Sequence, residues 1–375
     1  MAGIYIHIPF CKQACFYCDF HFSTSLKNKD AMLLALVTEI EIRKDELENK
    51  QIETIYFGGG TPSVLSVNEI KQLIDAVYRN HTVAENPEIT LEANPDDLSE
   101  EKIIELSQSP INRLSIGIQS FFEKELTLMN RAHNAQEAKS CLALATRYFS
   151  NISVDLIYGI PGLTHAQWKE NIQMALSYGI PHISSYALTV EPKTALATLI
   201  KNGKIANVDD AVAQEQFYML MDVLEKNDFV HYELSNFGKE TYFSKNNTAY
   251  WLGKKYLGIG PSSHSFDGKR RSWNIRNNTK YIQSLEEGKL PIERETLSVI
   301  DQYNEYIMTG LRTIWGVSME KIEREFGKKY VNYLQEQIKK YLTQDLLCLE
   351  NKILTTTKKG KFLSDGIASN LFMLN

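Results

Sequence analysis

The sequence predicts an α/β protein: a partial (β/α) barrel followed by a smaller, mostly helical, winged-helix-like C-terminal domain. Over the first half of the chain, short apolar runs alternate with longer helical runs, as strands and helices do in βαβ units. The pattern loosens after about residue 195 and becomes compact again from Asp301. We therefore expect a barrel domain at 1–235, a loop-rich connecting segment at 236–300 and a C-terminal domain at 301–375.

The barrel elements follow from hydrophobic periodicity. Strands are predicted at 4–8, 54–57, 89–92, 113–118, 153–157 and 182–188. Helices are predicted at 29–48, 68–79, 99–107, 135–147 and 166–178. Ser99 has the position of a capping residue at a helix start. In such a barrel, functional side chains stand where strands end and loops begin.

The C-terminal stretch predicts three helices and a two-stranded wing. The helices are expected at 301–313, 318–325 and 330–341, and the strands near 346–350 and 352–356. A basic cluster follows, formed by Lys358, Lys359 and Lys361. A solvated turn is the ordinary explanation of so few cations, and the net charge is -5. We expect no nucleic-acid partner.

Composition restricts the class of protein further. A chain of 375 residues with 43% hydrophobic content can bury a sizeable core. It begins without a basic run followed by an apolar segment, and no apolar run reaches the roughly 20 residues that a membrane helix needs. We therefore expect a cytoplasmic protein with at most peripheral membrane contact. Five cysteines are few and odd in number, which argues against a disulfide framework.

Three cysteines lie close together directly after the first predicted strand. Cys11, Cys15 and Cys18 have the spacing C-x3-C-x2-C, and thiolates suit zinc or iron–sulfur clusters. A structural zinc ion takes four protein ligands. Nearby candidates for the fourth are His7, Asp19 and His21. On a [4Fe-4S] cluster, three cysteines leave one iron open to a small molecule. The spacing alone leaves both interpretations open.

Polar side chains stand at the ends of later predicted strands. Glu92, Gln119 and Asp155 each lie at or just after a strand's C-terminal end, where a barrel places its ligand contacts. The triple glycine 58–60 follows an apolar strand, and backbone without side chains can approach a ligand closely. A cap or a turn would explain each feature alone, but their repetition on separate strands favours a binding site.

These motifs together resemble the radical S-adenosyl-L-methionine (SAM) superfamily, whose hallmark is C-x3-C-x2-C on the loop after the first barrel strand. The segments that resemble its oxygen-independent coproporphyrinogen III oxidase-like branch are, in order, 55–62, 92–95, 113–121, 130–133, 155–162 and 184–191. Further along the chain, the segments 232–237, 256–265 and 308–312 resemble the same branch. Together with the cysteine motif, the first set is spread in order over most of the stretch 1–192.

The resemblance implies a [4Fe-4S] cluster on Cys11, Cys15 and Cys18, and a SAM site beside it. The SAM-contacting residues that it implies are Tyr5, Tyr17, Gly59, Gly60, Thr61, Glu92, Gln119, Arg131, Asp155 and Ala187. In this set, residues 59–61 would contact the methionine moiety and Arg131 would pair with its carboxylate, a geometry that suits guanidinium. Gln119 and Asp155 would hydrogen-bond to the ribose.

Two departures select a branch of the family. The oxidase proper has a fourth cysteine two residues after the third, where this chain has Phe20, and it has a longer stretch before the cluster. Both point to the shorter HemW-type branch, whose members bind haem and transfer it to an acceptor protein. The resemblance implies a haem chaperone that also needs a reducing electron donor. The alternative is an oxidase that decarboxylates the propionates of coproporphyrinogen III in porphyrin biosynthesis.

A third departure concerns haem itself. HemW-type proteins usually carry His-Asn-x-x-Tyr in the segment proposed to bind haem, and here the first position is Asn246. Asparagine is a poor axial ligand for haem iron, whereas histidine and tyrosine can serve. Tyr250, in the same motif, and the nearby His264 are the candidate haem contacts. We expect haem binding that is weaker than in relatives with the full motif, or absent.

Overall fold

The computed structural model describes residues 2–48 and 50–374, and two sheets carry its strands. The strands are β1 (Ala2–Ile8), β2 (Ile52–Gly59), β3 (Val83–Ala93), β4 (Arg113–Gln119), β5 (Ile152–Tyr158), β6 (His182–Ala187), β7 (Val230–Glu233), β8 (Asn236–Gly238), β9 (Lys255–Ile259), β10 (His264–Phe266), β11 (Arg270–Asn274), β12 (Ile292–Thr296), β13 (Val317–Ser318), β14 (Leu347–Glu350) and β15 (Ile353–Thr356). The helices are α1 (Lys29–Ile42), α2 (Val67–Asn80), α3 (Glu100–Ser107), α4 (Glu123–Leu128), α5 (Ala135–Tyr148), α6 (His165–Ser177), α7 (Ala195–Lys201), α8 (Asp210–Glu225), α9 (Lys245–Trp251), α10 (Asn278–Glu286), α11 (Val299–Leu311), α12 (Met319–Phe326), α13 (Lys328–Thr343) and α14 (Ser364–Asn370).

The large sheet confirms the predicted α/β class. Its strand order is β12-β11-β10-β9-β1-β2-β3-β4-β5-β6-β8-β7. Strands β1 to β6 pair in parallel with one another in chain order, and β9 also pairs in parallel with β1. The carboxyl ends of these seven strands therefore meet at one edge of the sheet, which is where a partial barrel places a site.

Burial explains why the central strands could be recognised from sequence. All seven residues of β4 are buried, as expected of a parallel strand covered on both faces. Helix α3 begins at its predicted cap: the Ser99 side chain accepts from the amide of Lys102. Cys141 is buried in α5, where it packs as a small apolar residue.

The C-terminal domain has a core of its own, as the winged-helix-like prediction requires. Tyr303 and Ile307 on α11 pack with Leu334 on α13 and with Leu354 on β15. Strand β13 adds a third strand to the predicted wing, in the order β13-β15-β14.

One helix ends earlier than predicted. The sequence predicts a helix over 29–48, but α1 ends at Ile42 and turns follow it. The cause is Arg43, whose buried guanidinium donates to Glu39, to Ser265 and to the Gly258 carbonyl oxygen. These contacts hold the chain where the helix would otherwise continue.

The segment 236–300 contains more regular structure than its predicted loops. Strands β9 to β12 extend the large sheet beyond β1, while β8 pairs with β6 at the other side. Helices α9 and α10 also lie in this segment. The short strands pair with partners that are distant in sequence, so local periodicity shows them poorly. Within residues 2–48 and 50–374, no helix combines the length and the apolar character needed to cross a membrane.

Candidate cofactor site and adjoining cleft

The cysteine loop leaves β1 and folds back against it. The amide of Cys11 donates to the Ser23 carbonyl oxygen at 3.1 Å, and the amide of Ser23 donates to the Pro9 carbonyl oxygen at 2.9 Å. All three thiols are free: Cys11 is buried, while Cys15 and Cys18 are partly exposed. The loop thus presents three unpaired sulfur donors from one short segment, which is the donor set of a three-cysteine cluster.

The environment of these thiols has a chemical consequence. Burial raises the pKa of Cys11 to about 12 and the pKa of Cys18 to about 11. Because the thiolate is the ligand, binding of a metal or cluster here must release protons. Among the described residues, no group of three or more His, Cys, Asp or Glu side chains is arranged to hold a single metal ion.

Arg131 connects the cysteine loop to the end of β4. Its guanidinium donates to the Cys15 sulfur at 3.2 Å and to the Tyr17 hydroxyl at 3.4 Å. It also donates to the Asn94 side-chain oxygen at 2.7 Å and to the Gly117 carbonyl oxygen at 2.8 Å. The Nε atom is buried and has no hydrogen-bond partner among the described residues. A guanidinium with a spare donor beside the thiols fits an anionic group such as the SAM carboxylate.

The neighbouring backbone is packed so closely at the glycines that a side chain would not fit. A Cβ on Gly117 would lie 2.9 Å from the side-chain nitrogen of Gln119. Gly59 has a φ of 108°, which residues other than glycine rarely adopt. Gln119 itself has a φ of 66° and is 8% exposed at the end of β4. Strained backbone of this kind clusters at functional sites. Glycine at these positions thus follows from close packing and backbone geometry, whereas the free thiols and the spare donor of Arg131 are what fit a bound cofactor.

Two carboxylates lie inside the barrel beyond the cysteines. The Tyr56 hydroxyl donates to Glu92 at 2.8 Å, and Ser115 donates to Asp155 at 3.4 Å. Burial raises the pKa of Glu92 to about 7 and the pKa of Asp155 to about 6. Acceptors of this kind suit ligand hydroxyl groups such as those of a ribose.

The residues singled out from the sequence form three groups in space. Arg131 contacts both Cys15 and Tyr17 directly. Tyr5 stacks on Tyr56, which in turn bonds to Glu92. Around these groups, the structure places Thr61 after β2, Asp155 on β5 and Ala187 at the end of β6. Tyr250 and His264 form the third group and line an adjoining cleft, which Tyr5 also borders.

That cleft lies between the barrel mouth and the C-terminal domain and has a volume of about 990 Å³. Its walls come from β1, from residues 19–21 of the cysteine loop, from 250–276 and from 302–326. The aromatic lining residues are Tyr5, Phe20, Tyr250, Trp251, Tyr256, Phe266, Tyr306, Trp315 and Phe326. The cationic lining residues are Arg271, Arg276 and Lys321.

Sequence reasoning missed several residues of the site. Asn94 anchors Arg131, and Tyr56 anchors Glu92. Both lie within segments that resemble the family, so their motif membership was the available signal. The cleft cations Arg271 and Arg276 had no such signal, since they lie on β11 and in the loop after it, within the segment predicted to be mostly loops.

Comparisons with known proteins agree with this geometry. A model of the radical SAM superfamily matches residues 5–190, and a model of the HemN C-terminal domain matches residues 297–363. Heme chaperone HemW of Lactococcus lactis is 34% identical over 365 residues, covering 97% of this chain and 95% of that protein. Heme chaperone HemW of Bacillus subtilis is 33% identical over 372 residues, covering 98% of each.

A solved structure shares the whole fold. Coproporphyrinogen III oxidase (HemN) from Escherichia coli, described as a radical SAM enzyme, superimposes with a TM-score of 0.86. The match covers 99% of this chain and 90% of that one at 21% identity, so it shows that the two proteins share a fold. The chain therefore belongs to the radical SAM superfamily, in the same family as the HemW proteins, where an iron–sulfur cluster and SAM are typical.

Proposed function

We propose that this protein is a haem chaperone, which binds haem in the cleft and transfers it to an acceptor protein. The observation that carries the proposal is the cleft itself, about 990 Å³ in volume and bordered by the cysteine loop. This volume lies at the upper end of the range for small-molecule sites, as a macrocycle requires. Relatives over nearly the full length are named heme chaperones, which supports the same function.

The chemistry of the walls suits a flat, apolar ring with acidic edges. Tyr250 packs edge-on against Tyr256 with ring centroids 4.5 Å apart, and Tyr306 carries Lys321 over its face at 4.3 Å. Aromatic faces of this kind pack against a porphyrin plane. We assign Tyr250 to the porphyrin-contacting wall, together with His264 on β10.

The cleft cations are placed to receive the two propionates. Arg271 already pairs with Glu305 at 3.1 Å, and Arg276 donates to the Asp19 carbonyl oxygen. Guanidinium groups that are held in this way meet a carboxylate with little further ordering. The lining also holds Asp19, Glu305 and Glu325, which balance these cations and Lys321. The propionates would therefore meet individual cations and not a wall of net positive charge.

The cofactor site adjoins the cleft and would serve this function from there. Cys11, Cys15 and Cys18 would hold a [4Fe-4S] cluster, which supplies electrons to SAM when both are bound. Arg131 would bind the SAM carboxylate and residues 59–61 its methionine moiety. The remaining assignments place Gln119 and Asp155 at the ribose and Tyr5, Tyr17, Glu92 and Ala187 around the pocket.

The wider setting completes the proposal. The chain would act in the cytoplasm, with a haem acceptor and a reducing electron donor as its partners. Residues 1–235 would form the cofactor domain, 301–375 would cover the cleft, and 236–300 would join them. Phe20, which stands where the oxidase has a further cysteine, is 67% exposed on the cleft. An apolar ring at this position suits a porphyrin contact.

A haem titration tests this function. The protein is purified anaerobically, its cluster is reconstituted, and haem is added while the absorption spectrum is recorded. We expect stoichiometric binding that Arg271→Ala weakens by about tenfold, the usual order for losing a charge-assisted bond. Arg270→Ala is the matched control, because Arg270 neighbours it on β11 but pairs with Asp267 outside the cleft.

The same preparation is assayed for decarboxylation of coproporphyrinogen III with SAM and a reductant. Haem binding without turnover supports the chaperone. Turnover without haem binding would instead establish the oxidase alternative.

A further inference from the structure

His21 has the geometry of a metal ligand and lines the haem cleft. It lies on the cysteine loop three residues after Cys18, and its Nε2 atom is 2.7 Å from the Asn278 side-chain oxygen. That oxygen can only accept, so the ring donates from Nε2 and its Nδ1 carries a lone pair. Histidines that bind metals donate their other ring N–H to an oxygen in this way, which sets both tautomer and orientation.

The neighbouring His7 holds His21 in place without competing for the iron. The His7 ring lies nearly parallel to the His21 ring, with centroids 6.3 Å apart. Its Nε2 bonds to the His21 carbonyl oxygen at 2.9 Å, and its Nδ1 bonds to the Tyr5 hydroxyl at 3.2 Å. Both nitrogens of His7 are therefore used within the protein.

The charge state of His21 also suits coordination. Burial lowers its pKa, and the nearby Arg276 lowers it further, while the bond to Asn278 acts in the opposite direction. The net shift is downward, so the ring is neutral at neutral pH, the form that binds iron.

The other candidate iron ligands in the cleft suit coordination less well than His21. His264 is exposed beside Trp273, and no described residue hydrogen-bonds to its ring nitrogens. Burial raises the pKa of Tyr250 above its ordinary value, which opposes the phenolate that iron would need. Asn246 is 3% exposed and accepts from Thr54, so its side chain is already engaged beneath the cleft.

We propose that His21 is the axial ligand of haem iron in this cleft, binding through Nδ1 and oriented by Asn278. The proposal rests on the proposed haem-binding function and deepens it. One loop would then carry both the cluster ligands and the haem ligand, and the neighbouring Arg276 would receive a propionate.

Two porphyrins separate a bond to iron from packing of the ring. Cluster-loaded full-length protein is titrated with ferric haem and, separately, with metal-free protoporphyrin IX. We expect His21→Gly to weaken haem binding by about tenfold or more and to shift the haem absorption band. Affinity for metal-free porphyrin should stay within about twofold. Added imidazole should restore the haem spectrum of this variant.

Asn278 supplies a second, independent test should the glycine variant fail to fold. Asn278→Asp keeps an acceptor for the His21 ring and should retain haem binding, whereas Asn278→Leu should weaken it by about tenfold. His165→Ala is the matched control, since this histidine of α6 pairs with Glu215 and is not part of the cleft lining among the described residues.

Several outcomes would overturn the assignment of His21. An unchanged haem spectrum in His21→Gly, or equal losses for both porphyrins, would show that it does not bind the iron. Equal affinities of the two Asn278 variants would remove the orienting bond. If the wild-type protein binds neither porphyrin, the proposed function itself fails. If the wild-type protein binds haem but the binding does not depend on His21, only the assignment of the ligand fails.

Discussion

Replacing Glu92 with glutamine should stabilise the cofactor-free protein, and more so as the pH rises. Glu92 lies inside the barrel, where it accepts a hydrogen bond from Tyr56. Burial raises its pKa from the ordinary 4.5 to about 7. Glutamine has the shape of the protonated acid and can still accept from Tyr56, but it never ionises.

The sign and size of the effect follow from linkage. A raised pKa means that the folded chain binds the proton more tightly than the unfolded chain, so stability is lost as the pH rises from about 4.5 to about 7. At pH 8, ionisation of Glu92 costs the folded protein roughly 3 kcal/mol, and at pH 5 about 1 kcal/mol. The advantage of Glu92→Gln should therefore grow by about 2 kcal/mol over this interval.

Urea unfolding at pH 5, 6, 7 and 8 measures this difference directly. Asp155 also titrates in this range and its charge raises the pKa of Glu92 further, so part of the measured difference reports repulsion between the two carboxylates. Glu85→Gln is the control, because Glu85 is an exposed residue of the same strand. If Glu92→Gln and the wild type keep a constant difference in unfolding free energy from pH 5 to pH 8, Glu92 is not the buried, raised-pKa group inferred here.

Three further predictions concern the cluster, SAM and the scaffold. Cys15→Ala should abolish cluster assembly, measured as iron and sulfide content, whereas Cys348→Ala in the C-terminal wing should leave it intact. Arg131→Ala should weaken SAM binding by about 2 kcal/mol, and an unchanged affinity by calorimetry would remove it from the site. Glu39→Gln should cost about 2 kcal/mol of unfolding free energy, because it removes one of the two carboxylates, Glu39 and Glu46, that pair with the buried Arg43 guanidinium. Equal stability of this variant and Glu41→Gln, on the exposed side of the same helix, would contradict that estimate.

Much of the scaffold could be predicted because its signals are local in the chain. The central strand β4 is fully buried, and helix caps act within three residues, as at Ser99 and Lys102. The cluster loop was equally visible, since Cys11, Cys15 and Cys18 lie within eight residues. The roles of the SAM-contacting residues came from motif resemblance, and they stay predictions.

The sequence by itself determined the α/β class, the helical C-terminal domain, the cysteine spacing and the family resemblance. Only the tertiary structure decided where α1 ends, because Arg43 bonds to Gly258, 215 residues further along. It also decided the cleft, whose walls come from four separated segments. The orientation and tautomer of His21 likewise depend on Asn278, which lies 257 residues away in the chain. Periodicity and capping depend on interactions between residues that are close in sequence, so a pattern along the chain reveals them. A ligand's orientation depends on contacts between distant residues, and only the folded chain brings those together.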